Sequence, residues 1–266
     1  MDIMTLVGLV VAFGSLVASV ILEEGKLESL VGISAALIVF GGTLGATFIS
    51  HPQSTVMLLP KLLMLAFMGK VEKPEHLVGF FVELANQARR EGLLSLEEKG
   101  RELPDPFLRK GIMLVVDGVD PKVVREILRS DTAAMAHRHK QGYAMLEAMG
   151  GFAPTMGIIG TVMGLINVLG NLSDPSNLGP AIAVAFIATL YGVASANLLW
   201  LPIGNKLKQR SAEEVFVREV MIEGILAVQA GHNPHIVGEH LKSFVAPKAR
   251  ARLEAGGDEV PMKEAA

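Results

Sequence analysis

The chain has 266 residues, half of them hydrophobic and only 19% charged, with a mean hydropathy of +0.43. Soluble domains carry about 25% charged residues, so this composition excludes an ordinary soluble globule and points to a membrane-embedded chain. A net charge of −3 gives no bias toward nucleic acid, and the absence of cysteine excludes disulfides, thiolate metal sites and cysteine nucleophiles.

Four uncharged segments reach the ~20 apolar residues that a bilayer crossing requires. The first, Ile3 to Leu22, starts at the N-terminus with no basic n-region and no A-x-A-like cleavage site, so it reads as a retained span. "EEGKLES" leads to the second, Ser29 to Ser50, and the brevity of that connection predicts a tight hairpin over residues 3–50. Residues 51–147 are polar. Within them, Leu77, Phe81, Leu84 and Ala88 recur at helical spacing, with Pro74 suited to the first turn of that helix and Gly92 to its end. A second helix is expected after Asp120-Pro121, running on into the third span, Ala148 to Gly170. A helix prolonged in this way couples events in the bilayer to events beyond it. "NLSDPSNL" then joins the third span to the fourth, Leu178 to Gly204, as a second hairpin over residues 148–204. Residues 205–266 form a helical tail whose end, "EAGGDEVPMKEAA", has the composition of a disordered terminus.

Charge placement predicts the orientation. Fourteen of the 24 Lys and Arg lie between residues 51 and 148 and nine lie after 204, while Lys26 alone sits in a short loop. The positive-inside rule then places both termini and the large loop in the cytoplasm. The fold class that follows is an all-α integral membrane protein: four transmembrane helices in two hairpins, with a large helical cytoplasmic loop and cytoplasmic termini.

Asp, Glu, Lys, Arg and His are all absent from the four spans. Ion pumps mark their route with an intramembrane ionisable residue, so this chain alone offers no titrating site at mid-membrane. It offers Thr43, Thr47, Thr155, Thr161, Asn167, Thr189, Ser195 and Asn197. Such groups commonly hydrogen-bond between helices or back onto their own carbonyls. Pro154 and Pro202 each free a carbonyl and can kink a helix, and a freed backbone group in lipid needs protein or a wet cavity beside it. Gly160 and Gly164 have GxxxG spacing and permit close helix approach. The approaching helix comes either from this chain's own bundle or from a second protein that brings the missing carboxylate. Thr161 lies seven residues beyond Pro154, so the two share a face, which is expected to point at such a partner.

Elsewhere, His137 and His139 fall on different helix faces, and His232, His235 and His240 lack a metal-ligand spacing, so all read as surface histidines. There is no phosphate loop, Ser/His/Asp arrangement or dinucleotide fingerprint. Neither enzymatic chemistry nor a resident cofactor is expected.

Four stretches taken together resemble the MotA/PomA family of flagellar stator subunits, within the wider MotA/TolQ/ExbB superfamily. They are "LIVFGGTLGATFIS", "ARREGLLSLEE", "GGFAPTMGIIGTVMGLI" and "AIAVAFIATLYGVASANLLWLPIGNKLK", and the resemblance covers residues 1–245. It implies an inner-membrane ring of five such subunits around two single-span, peptidoglycan-binding MotB-like chains whose aspartate carries the ion. It also implies torque on the rotor protein FliG. Pro154 and Pro202 match the family's two functional prolines. Arg89 and Glu97 match the loop charges that meet the rotor, with Arg90 adjacent. Thr189 matches a threonine of the ion path. Thr161 matches a position that is threonine in sodium-type members and alanine in some proton-type ones, which leans the coupling ion toward sodium. The rivals are a proton-driven ExbB/TolQ-like energiser, which has three spans, and a passive membrane scaffold. A scaffold needs neither the two prolines nor threonines on a small-residue face.

Overall fold

A computed structural model of the chain describes residues 3–68, 72–170 and 175–254. The terminal stretch read as disordered lies outside the described residues beyond Glu254, as does the start of the second short loop, residues 171–174. Among the described residues the secondary structure is helical throughout, in two compact units.

The first unit comprises residues 1–69 and 138–209. It opens with α1 (Ile3–Leu22), followed by a short 3-10 turn at Leu27–Leu30. The second span is α2 (Ile33–Ala36), a π-turn at Leu37–Gly41, and α3 (Gly42–Ser50). Next come α4 (Gln53–Val56) and α5 (Leu59–Met68).

The second unit comprises residues 70–137 and 210–266. It contains α6 (Pro74–Glu91), α7 (Leu96–Glu102) and α8 (Pro106–Val116). The chain then enters α9 (Pro121–Gly170), whose apolar C-terminal part belongs to the first unit. The fourth span is α10 (Pro175–Ser195), a π-turn at Ala196–Trp200, and the start of α11 (Leu201–Gln229). The short helices α12 (Pro234–Lys242) and α13 (Pro247–Glu254) close the second unit. Four of these helical runs are long and apolar enough to cross a membrane: Ile3–Leu22, Leu27–Ser50, Pro121–Gly170 and Ala181–Gln229.

In the first unit, packing follows small residues, because lipid is as apolar as leucine and a greasy surface alone gives helices no preference for one another. At the α9–α10 crossing, a Cβ added to Gly157 would sit 2.8 Å from the Ala188 carbonyl oxygen, and one added to Gly192 would sit 2.5 Å from that of Ala153. Gly160 and Gly164 meet the methyl groups of Ala188 and Ala185 in the same way. The second span packs on α10 through Ala35, Val39, Ile187 and Ala188. The Tyr191 hydroxyl of α10 donates to the Leu30 carbonyl (2.6 Å) and accepts from the Gly32 N–H (3.2 Å). Both backbone groups lie just before α2, so one phenol serves them.

The first hairpin differs from the sequence expectation. None of the 20 residues of α1 is buried, and the second span takes α10 rather than α1 as its main packing partner. Gly8 and Gly14 of α1 have open space around them, so the small residues that could have drawn α1 inward are unused.

The second unit has a conventional apolar core of Leu77, Phe81, Leu84, Leu96, Leu108, Ile112, Leu128, Ile222 and Ile225, with Val237 and Leu241 of α12. The expected face of α6 is the buried one: Leu77, Phe81 and Leu84 are inaccessible and Ala88 is packed against them. Pro74 starts α6, and Gly92 ends it in a left-handed conformation (φ +86°) that a side chain would resist.

Candidate functional sites

The two units each carry one candidate site. In the apolar unit, Thr161 of α9 and Thr189 of α10 are brought hydroxyl to hydroxyl. The Thr161 Oγ1 also lies 3.1 Å from the Gly157 carbonyl oxygen and 3.0 Å from that of Ala185. Gly157 is four residues before Thr161, and Ala185 is four before Thr189. The Thr161 hydroxyl thus meets one carbonyl on each helix of the pair, and four oxygens converge at one half-buried point. Only two hydroxyl protons serve this cluster, so lone pairs are in excess.

This geometry corrects the expectation that the small-residue face receives a helix from another chain. Gly157, Gly160, Thr161 and Gly164 are covered by α10 of the same chain. The α9 surface left open in the apolar unit is a different one, carrying Thr155, Ile158, Ile159, Val162 and Ile166. The other polar groups mostly satisfy themselves locally. Thr47 donates to the Thr43 carbonyl (2.7 Å), Thr155 to that of Phe152 (2.7 Å), Ser195 to that of Gly192 (3.2 Å) and the Asn197 amide to that of Val193 (2.9 Å). Thr43 is buried, and its hydroxyl has no partner among the described residues.

Pro154 lies half-buried inside α9, where it has no N–H for the Gly150 carbonyl. Pro202 is exposed, immediately after the π-turn, where the Leu201 N–H already reaches five residues back to the Ala196 carbonyl. The prolines occupy helices that touch nearby: Gly150 is covered by Leu201, and Gly204 lies against Leu146. Trp200, in the π-turn, has a buried indole N–H with no partner among the described residues. Sequence reasoning missed both π-turns. Pro202 was the available signal, since a missing donor must be absorbed somewhere in the ladder.

In the polar unit, Arg89 and Arg90 are exposed at the C-terminal end of α6, and neither makes an ion pair or hydrogen bond to a described residue. They line a groove of about 700 Å³ together with Val82 and Asn86 of α6 and with Asn233 and His235 at the start of α12. Glu97 stands apart from it. It lies beyond the Gly92 turn on α7, with its carboxylate 2.6 Å from Arg101, one turn along the same helix. His235 reads from the sequence as a surface histidine, because the α6–α12 contact that brings it to the arginines joins distant parts of the chain.

Comparison with known proteins covers nearly the whole chain. Residues 99–220 match the MotA/TolQ/ExbB proton channel family, and residues 6–92 match the motility protein A N-terminal family. The chain is 39% identical to the chemotaxis protein PomA of Vibrio alginolyticus, over 94% of this chain and 98% of that one. It is 37% identical to motility protein A of Bacillus subtilis, over 97% and 96% of the two chains. A solved structure of the flagellar MotAB stator complex from Bacillus subtilis superposes with a TM-score of 0.88 at 37% identity, covering 94% of this chain and 98% of that one.

Proposed function

The chain belongs to the motility protein A family and is a flagellar stator ion-channel subunit, and from that premise we propose how it works. It is a multi-pass inner-membrane protein that assembles with a MotB-like partner. Five copies surround two partner chains, and ion passage along the partner's aspartate turns the ring. Both termini and the polar unit are cytoplasmic, in keeping with the Lys and Arg concentrated beside the inner ends of the spans. The observation that carries this reading is the division of labour within the chain. Its spans hold no ionisable residue, so the carboxylate must come from outside, while its polar unit offers unpaired arginines.

The coupling ion is sodium. The hydroxyls of Thr161 and Thr189 and the carbonyls of Gly157 and Ala185 form an acceptor-rich cluster of the kind a hard cation prefers over water. A proton needs only the partner's carboxylate. Pro154 and Pro202 supply the helix discontinuities along this path. Arg89, Arg90 and Glu97 meet charged groups of FliG. The ExbB/TolQ reading is weaker, because four spans and an N-terminal motility protein A match accompany the shared channel region.

The test is rotation speed against external sodium at fixed pH, for the native complex and for Thr161→Ala. Native speed should rise with sodium, and the variant should need more sodium or lose the dependence. Full native speed in sodium-free medium would replace sodium by the proton and reduce Thr161 to a residue that bonds its own helix. Replacing the partner's membrane Asp with Asn should abolish rotation in either case.

A further inference from the structure

The groove between α6 and α12 is lined by positive charge and hydrogen-bond donors, with no acid among its described lining residues. Arg89 and Arg90 stand on one wall, with His235 and the amide of Asn233 on the other. The side-chain Oδ1 of Asn233 accepts from the backbone N–H of His235 (3.0 Å), which leaves the side-chain NH₂ as a further donor. Glu239, one turn beyond His235, lies outside the groove lining. It is held below the usual carboxylate range first by a hydrogen bond from Lys242 and that residue's charge, and to a lesser degree by His235.

The two walls are fixed to each other. Gly238 of α12 lies against Val82 of α6, where an added Cβ would be 3.1 Å from a Val82 methyl. Val237 and Leu241 are buried in the same core as Leu77, Phe81 and Leu84. A ligand that reaches the arginines therefore meets the start of α12 as well. A guanidinium takes a carboxylate through two parallel N–H donors, and donors on the opposite wall select for an acid that projects into the groove rather than lying across α6.

We propose that the N-terminal turn of α12, through Asn233 and His235, is the second half of the rotor-docking site and clasps an acidic helix of the rotor protein against Arg89 and Arg90. The proposal rests on the stator reading above and extends the contact from α6 to a segment near the C-terminus.

The absence of cysteine makes the test direct. In motile cells carrying the full stator complex, His235→Cys is paired with single cysteines scanned along the acidic surface of FliG, with Arg89→Cys as reference. His235→Cys should crosslink to the rotor positions that capture Arg89→Cys, or to positions one helical turn away. His235→Glu should lower torque on a tethered bead at least two-fold at normal membrane abundance, and lysine at the opposing rotor acid should recover part of it. Native torque in His235→Glu with no crosslink from position 235, while Arg89→Glu stalls the motor, would remove α12 from the interface and leave the stator reading intact. Native torque in both glutamate variants would overturn the docking site and the rotor assignment together. Should His235→Glu fail to accumulate, the crosslinking arm decides alone.

Discussion

Gly14 of α1 and Gly157 of α9 are both glycines in apolar helices. A methyl group added to the first meets nothing within 4 Å, whereas one added to the second would sit 2.8 Å from the Ala188 carbonyl oxygen. The contrast separates the two hairpins. The α9–α10 pair is held by backbone approaching backbone, with alanine methyls seated on glycines and two threonines joined at the crossing. The first span has no buried residue and no small-residue seam in use, and its tie to the rest of the unit is polar, the Lys206 ammonium donating to the Thr5 hydroxyl. Hydrophobicity places a helix in the bilayer, but close packing decides which neighbour it keeps.

The contrast breaks most completely at its tight end. Gly157→Leu should force α9 from α10, at the ~1–3 kcal/mol typical of overpacking or more, since backbone cannot move aside like a side chain. The expected outcome is loss of motility together with a several-fold fall in membrane abundance, read by immunoblot, and Gly192→Val should match it. Next come the prolines. Leucine at Pro154 or Pro202 should cut swimming at least ten-fold while abundance and co-purification with the partner stay near native. Normal swimming by both variants would make the prolines ordinary structural residues.

A smaller effect is expected in the polar unit. Arg89→Glu and Glu97→Lys should each reduce torque or recruitment to the motor, with stability moved by no more than ~0.5 kcal/mol in thermal unfolding of the purified complex. Glu97→Lys breaks an exposed ion pair with Arg101, which is worth little. Silent single variants, with no recovery from a reversed rotor charge, would return both residues to a solvated surface. The smallest effect belongs to the loose end. Gly8→Ala and Gly14→Ala should change neither abundance nor swimming speed. If Gly14→Ala is as damaging as Gly157→Leu, α1 has a close-packed neighbour after all and the contrast between the hairpins dissolves.

Much of the fold was legible because charge and proline punctuate it. Leu22 closes an uncharged run just before Glu23, and α1 ends at that same residue. Pro74, Gly92 and Pro121 mark helix ends by removing a donor or permitting positive φ, effects too local for tertiary context to override. Partner choice was not legible. The short "EEGKLES" connection suggested that the first two spans pack together, but the second span follows Ala188 and Tyr191 of α10 instead. The GxxxG spacing correctly marked a close crossing, yet spacing cannot say whose helix arrives, and Ala185 and Ala188 of the same chain do. Thr161 and Thr189 were singled out separately by family resemblance, while their shared oxygen cluster needed the crossing itself. His235 carried no signal, since nothing local distinguishes it from the other histidines of its turn.

The π-turn at Ala196–Trp200 sets a rule about length. A π-turn is an α-helix with one residue too many, so the stretch before Pro202 is longer by one than α geometry asks. Deleting a single residue there would heal the hydrogen-bond ladder, because the wider π-turn spreads its extra residue over the same sweep of helix. Everything after the cut would keep its angle, whereas a deletion in the regular α-helix beyond it would turn the rest by about 100° around the helix axis. Ile203 and Gly204, which face Met149 and Leu146, would stay in register with α9 after the first change. A deletion in the regular helix between the π-turn and those two residues would carry them out of it, so the fourth span tolerates a change of count at its π-turn and resists one in the α-helix that follows.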